Sequence, residues 1–193
     1  METAKLFAYF DNYLPLGKKE REELGSRVKE RKIKRKQFVL QKDDLCRHYT
    51  FVVSGCLKMY GVDREDTEHN IQFASENDWI FDIASFHSDK GSLVYIQAIE
   101  PSVILQIERT DLIYLFAHYK NFNINFRVLA ENKFVEAQNR LLHNLIATAE
   151  ERYLAFLAQY PHLSNRLPNT QIASYIGITP EFLSKIRSNI SKR

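Results

Sequence analysis

The sequence predicts an α+β protein in three parts. An antiparallel β-roll (jelly-roll-like) with flanking helices spans residues 1–120, a long central helix 121–148, and a small helix-turn-helix 149–193. Three observations carry this. Apolar residues alternate with period two from Gln37 to about Ile107, in short runs parted by polar turns. Helical period returns at Asp111 and runs long from Ile124 to about Thr148. Two short helices then flank Gly177, each with its own start signal.

Composition narrows the function classes. An apolar content of 45% in 193 residues is ample for a core. No run is long enough to span a membrane, and the opening METAKLFAYFDNYL is too acidic and polar for a signal peptide. Cys46 and Cys56 make neither a disulfide framework nor a thiolate metal site, so a reducing cytoplasm is expected. Charge is uneven. Residues 18–36 carry ten basic and four acidic side chains, and residues 37–151 carry ten and seventeen. Phosphates would be repelled by that acidic middle, which leaves the basic C-terminal end as the contact surface.

In order, residues 4–13 read as a short amphipathic helix closed by Leu14-Pro15-Leu16-Gly17. A charged helix follows from Lys18 to about Glu30. KERKIKRK (29–36) is either an extra nucleic-acid contact or a helix end entering an edge strand guarded by lysines, and the second reading is preferred. Strands are expected at 38–41, 49–55, 56–62, 69–75, 78–83, 93–100 and 102–108, with no helix between them and a bend at Gly55. After DLIYLFAHY comes a break near 121–123, then the long helix. Along it Ile124, Val128, Val135, Leu142 and Leu145 form one seam, while Phe126, Leu129, Phe134 and Leu141 form a second apolar edge. A helix apolar on two sides packs on its own fold or on a copy of itself. A symmetric two-helix dimer seam is the preferred reading. A last helix, Glu150 to Tyr160, ends before Pro161.

In PNTQIASYIGITPEFLSKIRSNI (168–190), Asn169 reads as an N-cap, and Ile172, Ala173 and Ile176 recur at helical spacing. Gly177 sits where the chain leaves the helix with positive φ, and Ile178 plugs the turn. Thr179 caps the second helix and Pro180 occupies its first position. Leu183, Ile186 and Ile190 face inward; Glu181, Ser184, Lys185 and Ser188 face out. From Arg152 onward six Lys or Arg stand against one acid, Glu181. That polar, basic face separates the unit from a helical hairpin that merely packs, and suits a helix entering the DNA major groove.

Taken together, the order of parts and RLPNTQIASYIGITPEFLSKIR (166–187) resemble the Crp/Fnr superfamily of transcription regulators, over nearly the whole chain. The resemblance implies a homodimer on a pseudo-palindromic double-stranded operator, with a β-roll that senses a small molecule and long helices that relay the signal. It also allows RNA polymerase as a partner. It places base contacts at Pro180, Glu181 and Lys185, with Ser184 on the same face. Asn169, Thr170, Thr179 and Arg187 fall at backbone-phosphate positions. Pro180 stands where relatives often carry arginine, so one base contact is lost.

The sensor half departs more. In cyclic-nucleotide binders of the superfamily a glycine-glutamate pair holds the ribose, and an arginine with a small hydroxyl residue holds the cyclic phosphate. Those four positions fall on Phe81, Asp82, Ser92 and Leu93, with His87 in the intervening loop. Without the arginine a buried phosphate is unpaired, and Lys90 as a point charge cannot supply a bidentate fork. The pocket therefore reads as degenerate and unsuited to cyclic AMP. No cofactor is expected: an iron–sulfur cluster needs more thiolates than two, and the six histidines are scattered.

Rival readings are a cupin-like metal enzyme, a cyclic-nucleotide-responsive regulator with non-standard phosphate ligands, and a ligand-free adaptor whose helix-turn-helix binds protein. The first lacks an H-x-H pair, a Gly-rich phosphate loop and the G-x-S-x-G and H-E-x-x-H motifs, so catalysis is not expected.

Overall fold

The computed structural model describes residues 2–192. Its element order is α1 (Thr3–Asp11), α2 (Lys18–Arg27), β1 (Val28–Ile33), β2 (Phe38–Leu40), β3 (His48–Ser54), β4 (Leu57–Val62), β5 (Glu68–Ala74), β6 (Trp79–Ile80), α3 (Ile83–Ser88), β7 (Tyr95–Ala98), β8 (Ser102–Glu108), α4 (Arg109–His118), α5 (Lys120–Ile146), α6 (Ala149–Gln159), α7 (Asn169–Ile176) and α8 (Pro180–Ser191). The chain packs as two compact units: residues 1–61 with 71–130, and residues 62–70 with 131–193.

In the first unit two four-stranded sheets, ordered β1-β8-β3-β6 and β2-β7-β4-β5, make the roll. Alternation drives the register. β8 pairs antiparallel with β1 (Val28↔Ile107) and with β3 (Phe51↔Leu105), which sends Phe51, Leu105 and Ile107 inward. Trp79, Phe51, Phe10, Phe122 and Phe126 meet in one aromatic cluster, so α1 and the start of α5 close the same core that the sheets open. Asn125 ties α5 to the chain after α1, its side-chain amide accepting from Leu14 N (3.2 Å) and donating to Leu14 O (2.7 Å). At Gly55 φ is +95°, and the backbone of Pro101 and Ser102 lies against it, so only glycine fits the bend into β4. Both cysteines are buried thiols outside any disulfide, and burial pushes the Cys46 thiol pKa up.

The preferred reading of 29–36 holds in part: β1 is an edge strand bearing Lys29, Arg31 and Lys32. The charged helix stops at Arg27, short of Glu30, because β-branched Val28 already pairs with Ile107. The break after α4 falls at Tyr119, and α5 has begun by Lys120, four residues before Ile124. The strand expected over 78–83 shrinks to Trp79–Ile80, and a helix, α3, follows within the strand region. Among the described residues no helix is long and apolar enough to cross a membrane.

Candidate functional site

In the second unit α6, α7 and α8 share a core of Tyr153, Phe156, Leu163, Leu167, Ile172, Ala173, Tyr175, Ile176, Leu183 and Ile186. Ala173 is fully buried between α7 and α8, and Ile190 at the far end is half-buried. Gly177 leaves α7 at φ +73°, ψ +43°, where the N–H of Ile178 reaches Ala173 O at 3.1 Å. Thr179 Oγ1 accepts from Phe182 N at 3.3 Å, and Pro180 begins α8. Glu181, Ser184, Lys185 and Ser188 are exposed along one side, with Thr170 and Thr179 also exposed.

Two site residues behave differently from expectation. Pro168, in extended conformation, is the N-cap of α7, and Asn169 is already inside the helix, so its side chain caps nothing. Instead Asn169 Oδ1 accepts from Arg187 Nη1 at 2.6 Å, which pins the half-buried Arg187 against α7. This brings two of the four phosphate candidates into one bridge between the two helices. Phe182, 48% exposed beside Lys185, carries no sequence-level assignment; its only signal was an aromatic among polar residues on an outward face.

The tip between β4 and β5 belongs to this same unit. Asn70 N donates to Ser174 Oγ (3.0 Å), Ser174 Oγ donates to Glu68 O (2.7 Å), and Asn70 Nδ2 reaches Gln171 O (3.0 Å). From α5, Arg140 Nη2 donates to Asn70 O (2.7 Å) and Tyr175 O (2.9 Å), with its guanidinium 3.9 Å from the Tyr175 ring centre. One arginine thus fastens the tip, α5 and α7 together.

The cassette between β6 and β7 lies in the first unit. Asp82 is the N-cap of α3: Oδ1 accepts from Ala84 N (3.0 Å) and Ser85 N (3.3 Å). Its Oδ2 accepts from Ser92 Oγ at 2.7 Å, and Ser92 is fully buried. Free helix N–H groups attract anions, but here an internal carboxylate already holds them. Phe81 stacks on Tyr49 with ring centres 3.5 Å apart. The structure therefore gathers Phe81, Asp82 and Ser92. Leu93 stays apart, 78% exposed and turned to solvent. His87 is exposed on α3 and lines a cavity with Phe81.

Along α5 the two apolar edges do not remain separate. Phe126 and Leu129 are buried in the first unit, whereas Phe134 and Leu141 are exposed. Ile124 and Val128 are half-buried, and Val135, Leu142 and Leu145 are exposed. Phe122, Asn125, Phe126 and Leu129 mark the side packed on the roll. On the opposite side Phe134, Leu141, Leu142 and Leu145 run as one apolar stripe at spacings of seven, one and three. Among the described residues no group of three or more His, Cys, Asp or Glu could hold a metal ion.

Residues 30–119 match the family description of the cyclic nucleotide-binding domain. No curated protein matches the chain. Solved structures with the same architecture include FixK2 from Bradyrhizobium japonicum, with a TM-score of 0.74 at 17% identity, covering 86% of this chain and 85% of that one. The c-di-GMP-responsive global regulator CLP of Xanthomonas campestris gives 0.73 at 12% identity, covering 91% and 92%. A crp/fnr-family transcriptional regulator from Eubacterium rectale gives 0.71 at 14%, covering 93% and 88%.

Proposed function

We propose that this chain, which carries a cyclic nucleotide-binding domain within the fold of the Crp/Fnr regulators, is a homodimeric, sequence-specific DNA-binding transcription regulator. The observation that carries the reading is α8: a helix capped by Thr179, anchored by Leu183 and Ile186, and presenting Glu181, Ser184 and Lys185 to solvent. Lys185 can donate to guanine O6 and N7, Glu181 can accept from a cytosine amino group, and Phe182 can lie against a thymine methyl. Thr170 and Thr179, both exposed, can donate to phosphate oxygens. Arg187, tied to Asn169, would act on the backbone only if that bond opened.

The apolar stripe of α5 is the surface a second copy would cover, giving a two-fold axis along the helix pair and two recognition helices about one DNA turn apart. In the cassette, Ser92 stands where an arginine would hold the cyclic phosphate, and its hydroxyl is already bonded to Asp82, so the chain is proposed not to answer to cyclic AMP. A phosphate brought there would meet a carboxylate rather than an arginine.

Site selection from a random duplex pool tests the central reading. It should return a pseudo-palindrome, with binding that falls steeply with salt. Lys185→Ala should relax preference at one base position, by about 1–3 kcal/mol. A weak salt dependence together with unchanged selectivity would favour the protein-binding adaptor instead.

A further inference from the structure

We infer that α8 reads the C5-methyl group of a pyrimidine through Phe182, so that binding depends on whether one base of the site carries that methyl. The inference deepens the DNA-binding reading above and rests on it. Thymine and 5-methylcytosine present the same group at the same place on the major-groove edge, and either can supply it.

The position of Phe182 is unlike that of its neighbours. Leu183 and Ile186 take α8 into the core, whereas Phe182, turned about 100° from Leu183, stays outside it at 48% exposure. Among the described residues of α7 and α8 no other large apolar side chain is exposed. Tyr153, Phe156, Tyr160 and Tyr175 pack ring against ring in the same unit, and Phe182 joins none of them. It is the third residue of α8, its N–H bonded to the capping Thr179 Oγ1 at 3.3 Å. Residues at the N-terminal end of such a helix are the ones that reach base edges. Glu181 precedes it, and exposed Lys185 is its neighbour on the next turn.

Other groups at this end are already engaged. Ser184 Oγ donates to Pro180 O at 3.0 Å, and Arg187 is held by Asn169 at 2.6 Å. Glu181, Phe182 and Lys185 are left to meet bases. A carboxylate and an ammonium can pair with base amino groups and acceptors. A phenyl ring can do neither, and it donates nothing to a phosphate. The one apolar substituent that the major groove offers is the methyl on pyrimidine C5. Pressing the ring on that methyl removes both from water; against the bare C5–H of cytosine or uracil the gain is lost. Glu181 bears on which base supplies it. Thymine carries an acceptor, O4, next to the methyl, whereas 5-methylcytosine carries an amino group from which a carboxylate can accept.

The full chain is titrated by fluorescence anisotropy with duplexes of the sequence it selects from the random pool, changed at one pyrimidine position at a time in both half-sites. Each thymine is replaced by uracil, and each cytosine by 5-methylcytosine. At one position the methylated base should bind more tightly by about fourfold per methyl, the effect of removing one such group from water. A uracil that weakens binding names thymine as the source, and a 5-methylcytosine that strengthens it names methylated cytosine. Phe182→Ala should bind the two forms equally at that position, with the preference assigned to Lys185 retained and the melting temperature unaltered. Insensitivity to the methyl at every pyrimidine overturns the inference, as does a methyl effect that survives Phe182→Ala. Both of those results leave DNA binding standing. Failure to select any sequence overturns the DNA-binding reading, and the inference with it.

Discussion

Replacing Asp82 with alanine removes the carboxylate that closes the cassette, and the cost follows from its three partners. Losing the α3 N-cap, with Ala84 N at 3.0 Å and Ser85 N at 3.3 Å, costs about 1 kcal/mol. Losing the acceptor of Ser92 Oγ–H strips a bond to a charged group, of the class that contributes roughly 1.5–3 kcal/mol. Part of that is recovered, because Val94 O lies 2.9 Å from the same hydroxyl and can take the proton alone. The sum is about 2–3 kcal/mol. Trp79, the single tryptophan, is buried three residues away and reports this unit alone. Urea unfolding followed by its fluorescence should show Asp82→Ala weaker by that amount. Asp82→Asn keeps one acceptor for the cap and should lose about half as much. A change below about 0.5 kcal/mol for Asp82→Ala, the range of ordinary surface substitutions, would refute the argument and free the carboxylate for an external ligand.

Gly55→Ala places a Cβ onto Ser102 Oγ and 2.7 Å from Pro101 O at a φ of +95°; a loss of roughly 3 kcal/mol or more is expected in the same unfolding assay. Burial holds the His48 imidazole pKa below its ordinary value, against the opposing pull of Glu108. The unfolded chain therefore takes up that proton first, and stability is lost as pH falls below about 6.5. His48→Gln should flatten stability between pH 7 and 5; an unaltered slope would assign the acid loss to other groups. Leu142→Asp should turn a dimer into monomers in sedimentation velocity, and a retained dimer would place the interface off the α5 stripe.

Local signals in the sequence were reliable where local physics decides the structure. Gly177, Thr179 and Pro180 stand where their backbone and capping preferences put them, and the period-two runs became strands. Failures came where one residue type serves two structures. DWIFDI alternates as a strand does, yet Asp82 is also a helix cap, and the cap prevails after Ile80. Pro168 displaced Asn169 from the cap position because its fixed φ already sets the entry into α7. On α5 the sequence showed two apolar edges, but only contact with Phe10 and Trp79 determines that Phe126 is covered while Phe134 is not. The links from Asn70 to Ser174 and Gln171 span about a hundred residues, and no periodicity carries such information. The cavity beside α3 was invisible for the same reason, since its wall is gathered from four separate segments.

The two thiols give the molecule an internal clock. Cys46 and Cys56 both lie in the first unit, buried and outside any disulfide, and the second unit has no cysteine. A thiol reagent in excess can label only molecules whose roll has opened. Its rate therefore measures the breathing of the roll alone, in the intact chain and without an added probe. Anything that tightens the roll lengthens the labelling half-time. A ligand held solely by the helix-turn-helix leaves that half-time unchanged unless the two units are coupled, so the chemistry of two silent residues reads out communication along the chain.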